Sequence, residues 1–225
     1  MAYTYLDITN EVIARFNEVA LTASNFNASR GFQTQCKNAI NDAIDYINTT
    51  EYNWPFNHNT STDTLTAGTT RYIINSSAKH VDYSSFRLVK NDSLGCAGGN
   101  LELIDYKEYL DKHISQEDDT TVGSLPRYVF RTPENKYGLY PYPDKTYSLR
   151  YEYFNYVTPL SAQGDVPSIP EQYRSVIVDG ATSYGYQYRG ETQQHQLNFQ
   201  RFEAGIKHMR TLLINRTYYL RSTVL

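Results

Sequence analysis

Apolar residues recur at helical spacing near both ends of the chain and nowhere between, and this split constrains the fold more than any other feature. Ile8, Val12, Phe16 and Val19 follow at steps of four, four and three, which places them on one face of a helix over residues 5–21. Thr4-Tyr5-Leu6-Asp7 precedes them with capping-box spacing, Asp standing where Glu is usual. After a polar loop over 22–30, the stripe Phe32, Cys36, Ala39, Ile40, Ala43, Ile44 and Ile47 predicts a second helix over 31–49. At the other end Ser168-Ile169-Pro170-Glu171 reads as a second capping box. It leads into Tyr173, Val176, Ile177, Ala181, Tyr184 and Tyr188. Past Gly190, Phe199, Phe202, Ile206, Met209 and Leu213 form the seam of a last helix. No such stripe can be covered by its own helix. The two ends are therefore expected to pack together, with Ile40, Ile44, Ile177, Phe202 and Ile206 in one core. Gly180 falls mid-helix, where it costs about 1 kcal/mol relative to Ala; close helix–helix approach would account for it.

The middle has a different texture. Trp54-Pro55-Phe56 ends the helical part, since Pro is excluded from helix interiors. Short β-prone runs follow at 63–66, 71–75, 86–90 and 101–104, with a short helix at 106–112 and further strands at 128–131, 137–140 and 147–157. Pro133–Lys136 and Pro141–Asp144 are the expected hairpin turns between the last three. Along 147–157, Leu149, Tyr151 and Tyr153 alternate with Arg150, Glu152 and Phe154, which suits an antiparallel sheet with one wet side. The expected fold is α+β. A helical bundle is built from N-terminal (1–50) and C-terminal (168–215) helices, split by a β-rich antiparallel insertion (51–167), with an extended C-terminal arm over 216–225.

The chemistry of the side chains excludes more than it offers. With 21 Lys and Arg against 24 Asp and Glu, the net charge is −3, which disfavours a free-standing nucleic-acid binder. No run of apolar residues is long enough to cross a membrane, and the first residues have neither the basic nor the apolar part of a secretory signal. His58, His80, His113, His195 and His208 show no HxxxH or HExxH spacing. Cys36 lies on an apolar stripe and reads as a small buried hydrophobe. Gly95-Cys96-Ala97-Gly98-Gly99 lacks the Lys-Ser/Thr of a phosphate-binding loop and reads as a flexible hairpin that could expose the Cys96 thiol. Glu117-Asp118-Asp119 reads as a solvated loop. No catalytic residue, metal ligand or cofactor site is expected. Tyrosine is the biased residue, 22 against nine Phe and one Trp, which fits both strand faces and wet interfaces.

The second half of the chain carries a resemblance. Tyr137-Gly138-Leu139-Tyr140-Pro141-Tyr142-Pro143-Asp144 is followed by Tyr147-Ser148-Leu149-Arg150-Tyr151-Glu152-Tyr153. Leu160, Asp165-Val166-Pro167, the helix entry Ile169-Pro170-Glu171-Gln172-Tyr173, the Gly180-Ala181 step, Phe202, Gly205-Ile206 and Met209 then come in order, and Trp54-Pro55 fits at the first strand. This series resembles the head-to-tail adaptor family of tailed bacteriophages, the group that includes tail tubular protein A. The resemblance implies a non-enzymatic structural protein of the virion neck, assembled in the host cytoplasm. It implies a ring, twelvefold in most members, between portal and tail nozzle or tail tube. Viral DNA would pass the lumen without specific binding, and no membrane would be involved. Two other classes stay open from the residues alone: another neck or tail component such as a terminator or nozzle protein, and a carbohydrate- or protein-binding β module.

The arm 216–225 supplies the interface candidates. Tyr218, Tyr219, Leu220, Val224 and Leu225 follow the end of the last helical seam. They are too apolar for a segment meant to stay in water, so a partner surface is expected for them, on the same subunit or beyond it.

Overall fold

The computed structural model describes residues 3–94, 96–117 and 123–214. Among them are five α-helices and two four-stranded sheets, an α+β fold. The chain divides into two compact units. One joins the residues up to Asn57 with those from Val157 onward, and the other is His58–Tyr156.

The first unit holds α1 (Tyr5–Arg15), α2 (Phe32–Thr50), α4 (Arg174–Arg189) and α5 (Thr192–Leu213). α4 packs against α1, α2 and α5, and Ile40, Ile44, Ile177, Phe202 and Ile206 lie in one buried cluster. Gly180 permits a close approach of three helices: a Cβ there would stand 2.7 Å from the Phe202 ring and 2.9 Å from the Ala43 methyl. The start of α1 is satisfied group by group. The Thr4 hydroxyl accepts from the Asp7 amide and the Asp7 carboxylate accepts from the Thr4 amide, the expected capping box. The Tyr5 and Leu6 amides donate to the carbonyls of Asp165 and Gln163 in the loop before α4. That loop is held by its own carboxylate, since Asp165 accepts from the amides of Ser161 and Ala162.

Two helix boundaries differ from the expectation. α1 ends at Arg15 and not near 21, because Asn17 turns the chain at φ 54. The Asn10 side chain then grips both backbone groups of Leu21. Leu21 is buried in consequence, while Val19, expected on the apolar stripe, is 78% exposed. Ser168 does not cap a helix. Its hydroxyl donates to Asn57 at 3.1 Å, Glu171–Tyr173 forms a 3-10 turn, and α4 starts at Arg174.

The second unit contains β1 (His58–Leu65), β2 (Arg71–Ile73), β3 (Ala78–Leu88), β4 (Gly99–Asn100), β5 (Glu102–Leu103), α3 (Tyr106–Lys112), β6 (Tyr128–Arg131), β7 (Lys136–Tyr140) and β8 (Tyr147–Asn155). One sheet has the order β1-β8-β3-β4, the other β2-β7-β6-β5, with β5 and β6 parallel and the remaining pairs antiparallel. The Pro133–Lys136 turn makes the expected hairpin of β6 and β7. The Pro141–Asp144 segment does not make one. It carries the chain from one sheet into the other, so β7 and β8 are not partners. β1 and β3 are longer than the sequence pattern suggests, because their polar residues face solvent while the backbone pairs with β8.

Phe86 stacks on Tyr151 with ring centroids 4.7 Å apart and nearly parallel planes. Tyr137 adds an edge contact to Phe86 and donates to Asp63 at 2.8 Å. Among the described tyrosines, nine are buried. Several carry their hydroxyl to a fixed acceptor, such as Tyr3 to the Ile169 carbonyl and Tyr5 to that of Lys37, which is how a buried tyrosine avoids an unpaired polar tip.

Candidate functional site

The titratable and nucleophilic side chains are scattered through the fold. Cys36 is fully buried, and burial pushes its thiol up to about 12. Cys96 is also buried, at 1% exposure, and exchanges two backbone hydrogen bonds with Asn91. The glycine-rich loop therefore does not present a thiol to solvent, contrary to the sequence expectation, because this local bridge turns the cysteine inward. Among the described residues no three His, Cys, Asp or Glu side chains come together as a metal site.

The histidines have separate surroundings. His58 Nε2 lies 3.1 Å from Glu152, which also accepts from Arg87. The His113 ring lies over Tyr140 at 4.0 Å. His80 is near Phe154, and His208 is exposed on α5. His195 meets a hydroxyl: its Nδ1 is 2.8 Å from the oxygen of Ser183, across the α4–α5 contact. The same Nδ1 is 3.0 Å from the Ser183 carbonyl, and the Ser183 hydroxyl is 3.2 Å from the His195 carbonyl. A carbonyl only accepts, so the tautomer that satisfies both carries its proton on Nδ1 while the serine donates to the His195 carbonyl. An imidazole nitrogen already holding a proton cannot take one from serine. With Ser183 at 0% exposure, the pair is a clasp between two helices.

The expected solvated loop at Glu117 is partly structured. Glu117 forms a two-pronged ion pair with Arg71, at 2.9 and 3.0 Å, and accepts from Tyr109. Asp118 and Asp119 lie outside the described residues. So do Tyr218, Tyr219, Leu220, Val224 and Leu225, the interface candidates of the C-terminal arm.

Among the described residues, the grooves of the helical unit are open to solvent. A groove of 190 Å³ runs between α2 and α5, lined by Tyr46, Thr50, Glu203, Ile206, Lys207 and Arg210. Arg210 pairs with Glu51 at its end. Its floor is the side of the helical core, where Tyr46 meets the rings of Phe199 and Phe202. Such a groove offers no enclosed volume from which water is excluded, which is what a reaction chamber supplies. It can accept a side chain or a helix edge.

Sequence reasoning missed the residues that set the loops of the helical unit. Asn10 grips Leu21, and Asn41 grips both backbone groups of Leu160 in the same manner. An asparagine side chain carries one donor and one acceptor at the spacing of a peptide group, so it can stand in for a strand partner. Nothing in a single sequence distinguishes these two from the many other asparagines.

Comparison with known protein families gives one match over nearly the whole chain: the family described as SU10 adaptor protein, over residues 3–223. No curated protein matches the chain.

Proposed function

Because the chain belongs to the SU10 adaptor protein family, a family of phage head-to-tail adaptors, we propose that it forms a closed ring of twelve copies between the portal and the tail nozzle or tail tube. Its role as a structural adaptor of the virion neck is that of the family. The ring, its copy number, its two neighbours and a lumen that passes viral DNA are the finer reading. The observation that carries it is the extent of the match, which spans both units and not one of them.

Three further features support this reading. The open grooves and the inward-facing thiols suit a scaffold better than a catalyst. A chain with slightly more acidic than basic residues does not grip passing phosphates as a basic one would. The arm 216–225, with Tyr218, Tyr219, Leu220, Val224 and Leu225, is proposed to reach a neighbouring subunit or the portal through backbone pairing with aromatic anchors. Repeated around a ring, individually weak arms give firm attachment.

The test is assembly. The purified protein is imaged by electron microscopy alone and mixed with purified portal. Rings stacked coaxially on the portal are the expected result. Binding only to tail proteins, with no portal complex, would favour a nozzle or terminator role in its place. A protein that binds glycan and neither portal nor tail would overturn the reading altogether.

A further inference from the structure

α2 and α5 each turn an unsatisfied ridge to solvent, and the two ridges have opposite charge. On α2, Asn38, Asp42, Asp45 and Thr49 are all exposed and follow at steps of four, three and four, so they form one line along the helix. Asp42 and Asp45 make no ion pair among the described residues. Partial burial raises the Asp42 carboxyl and the neighbouring Asp45 raises it further, so the pair is left in mutual repulsion with no cation to relieve it. On α5, Leu197, Arg201, Ala204 and His208 are exposed at the same steps of four, three and four, while Lys207 turns aside into the groove between α5 and α2. Arg201, Lys207 and His208 likewise have no carboxylate partner among the described residues. Glu203, the one acid nearby, sits in the groove with Lys207 and Arg210 on the side toward α2.

Both ridges cover eleven residue steps, about 16 Å of helix. α4 packs against both helices, and α2 and α5 belong to one rigidly packed core. A like-charge pair one turn apart on a helix is unfavourable by about 0.2–0.5 kcal/mol, and an exposed Leu197 on the basic line adds apolar surface (54% exposed). Each subunit thus presents an acidic line on α2 and a basic, partly apolar line on α5, of equal length and residue spacing. A nucleic acid would meet one and be repelled by the other. A second copy of the same chain complements both at once.

We propose that neighbouring subunits pair head to tail through these ridges, the acidic line of α2 on one copy facing the basic, Leu197-bearing line of α5 on the next. The inference rests on the ring reading above and adds the faces that meet. Two different patches on one subunit make a heterologous interface, which closes into a ring when the rotation between copies allows it.

Charge reversal tests the pairing with the full chain. Asp42→Lys with Asp45→Lys makes both lines basic; Arg201→Glu with His208→Glu makes both lines acidic. All four positions are exposed, and melting curves verify that each variant is folded. Assembly is read by sedimentation and native mass spectrometry at low salt. Each variant alone is expected to need more than about tenfold higher concentration to associate than wild type. An equimolar mixture is expected to assemble again, with equal numbers of the two variants in every ring, because opposite lines then meet at every contact. If the variants assemble as wild type does, the ridges are not the interface and the proposal falls, while the ring itself stands. If wild type forms no ring alone and the mixture none either, the proposal falls and the place between portal and tail is decided by the portal-binding experiment.

Discussion

At the level of single residues the molecule is held by a few polar side chains that take the place of backbone. Thr4 and Asp7 close the start of α1, and hydrogen bonding from the Thr4 hydroxyl and amide holds the Asp7 carboxyl below its ordinary range. A carboxyl lowered in the folded state adds stability above its unfolded value, and that stability fades as pH falls through the folded one. The wild type is therefore expected to exceed Asp7→Asn in melting temperature at pH 6, with the gap closing by pH 2.5. The effect is small, since Asp7 is exposed. Thr4→Ala removes the cap itself and is expected to cost about 1 kcal/mol in denaturant unfolding. Gly180 is a sensitive position for packing. Even Gly180→Ala drives a methyl into Phe202 and Ala43, and overpacking of this kind costs about 1–3 kcal/mol, although the helix propensity of Ala is the better one. A melting temperature raised by Gly180→Ala would show that the α4 contact is looser than described.

At the level of elements, what was legible in the sequence followed hydrophobic period. α2 and the short α3 lie where the pattern places them, within a residue at each end, because an apolar stripe is set by burial on one side and needs no other information. The seam of α5 was legible for the same reason. α1 was overread past Phe16 because Val19 continues the spacing, while the residue that ends the helix is Asn17, whose left-handed turn leaves no trace in apolar period. β1 is only partly legible because its outward residues are His58, Thr60, Thr62 and Thr64 and its pairing to β8 is a backbone matter. The link between β7 and β8 looked like a hairpin because a turn composition does not say which sheet the next strand joins. The candidate site was less legible than the fold: opposite charge on two helices about 160 residues apart in sequence becomes a feature only when α4 brings both onto one core. The burial gives a direct check on the elements. Ile44→Ala and Phe202→Ala are each expected to destabilise by about 2–5 kcal/mol, read from unfolding midpoints. A native thiol titration is expected to leave Cys36 and Cys96 unreacted until the protein unfolds.

At the level of the whole molecule the arm and the insertion have separate consequences. A chain ending at Asn215 loses Tyr218, Tyr219, Leu220, Val224 and Leu225. If the arm attaches to a neighbour or the portal, this truncation keeps the melting temperature and loses assembly; a fall in melting temperature with assembly intact would place the arm on its own subunit. The insertion His58–Tyr156 begins on β1 and ends just past β8, and these two strands are antiparallel neighbours in which His58 stands opposite Phe154. Paired residues of that kind lie about 5 Å apart. Once the β unit has folded, the two halves of the helical unit are tethered as if by a short loop, although about a hundred residues separate them in sequence. Closing the longer loop unaided would cost roughly 3 kcal/mol more. A β unit that folds first would bring the ends together for the helical core, and the expected outcome is that slowing the formation of β1 and β8 delays that core without touching a residue in it.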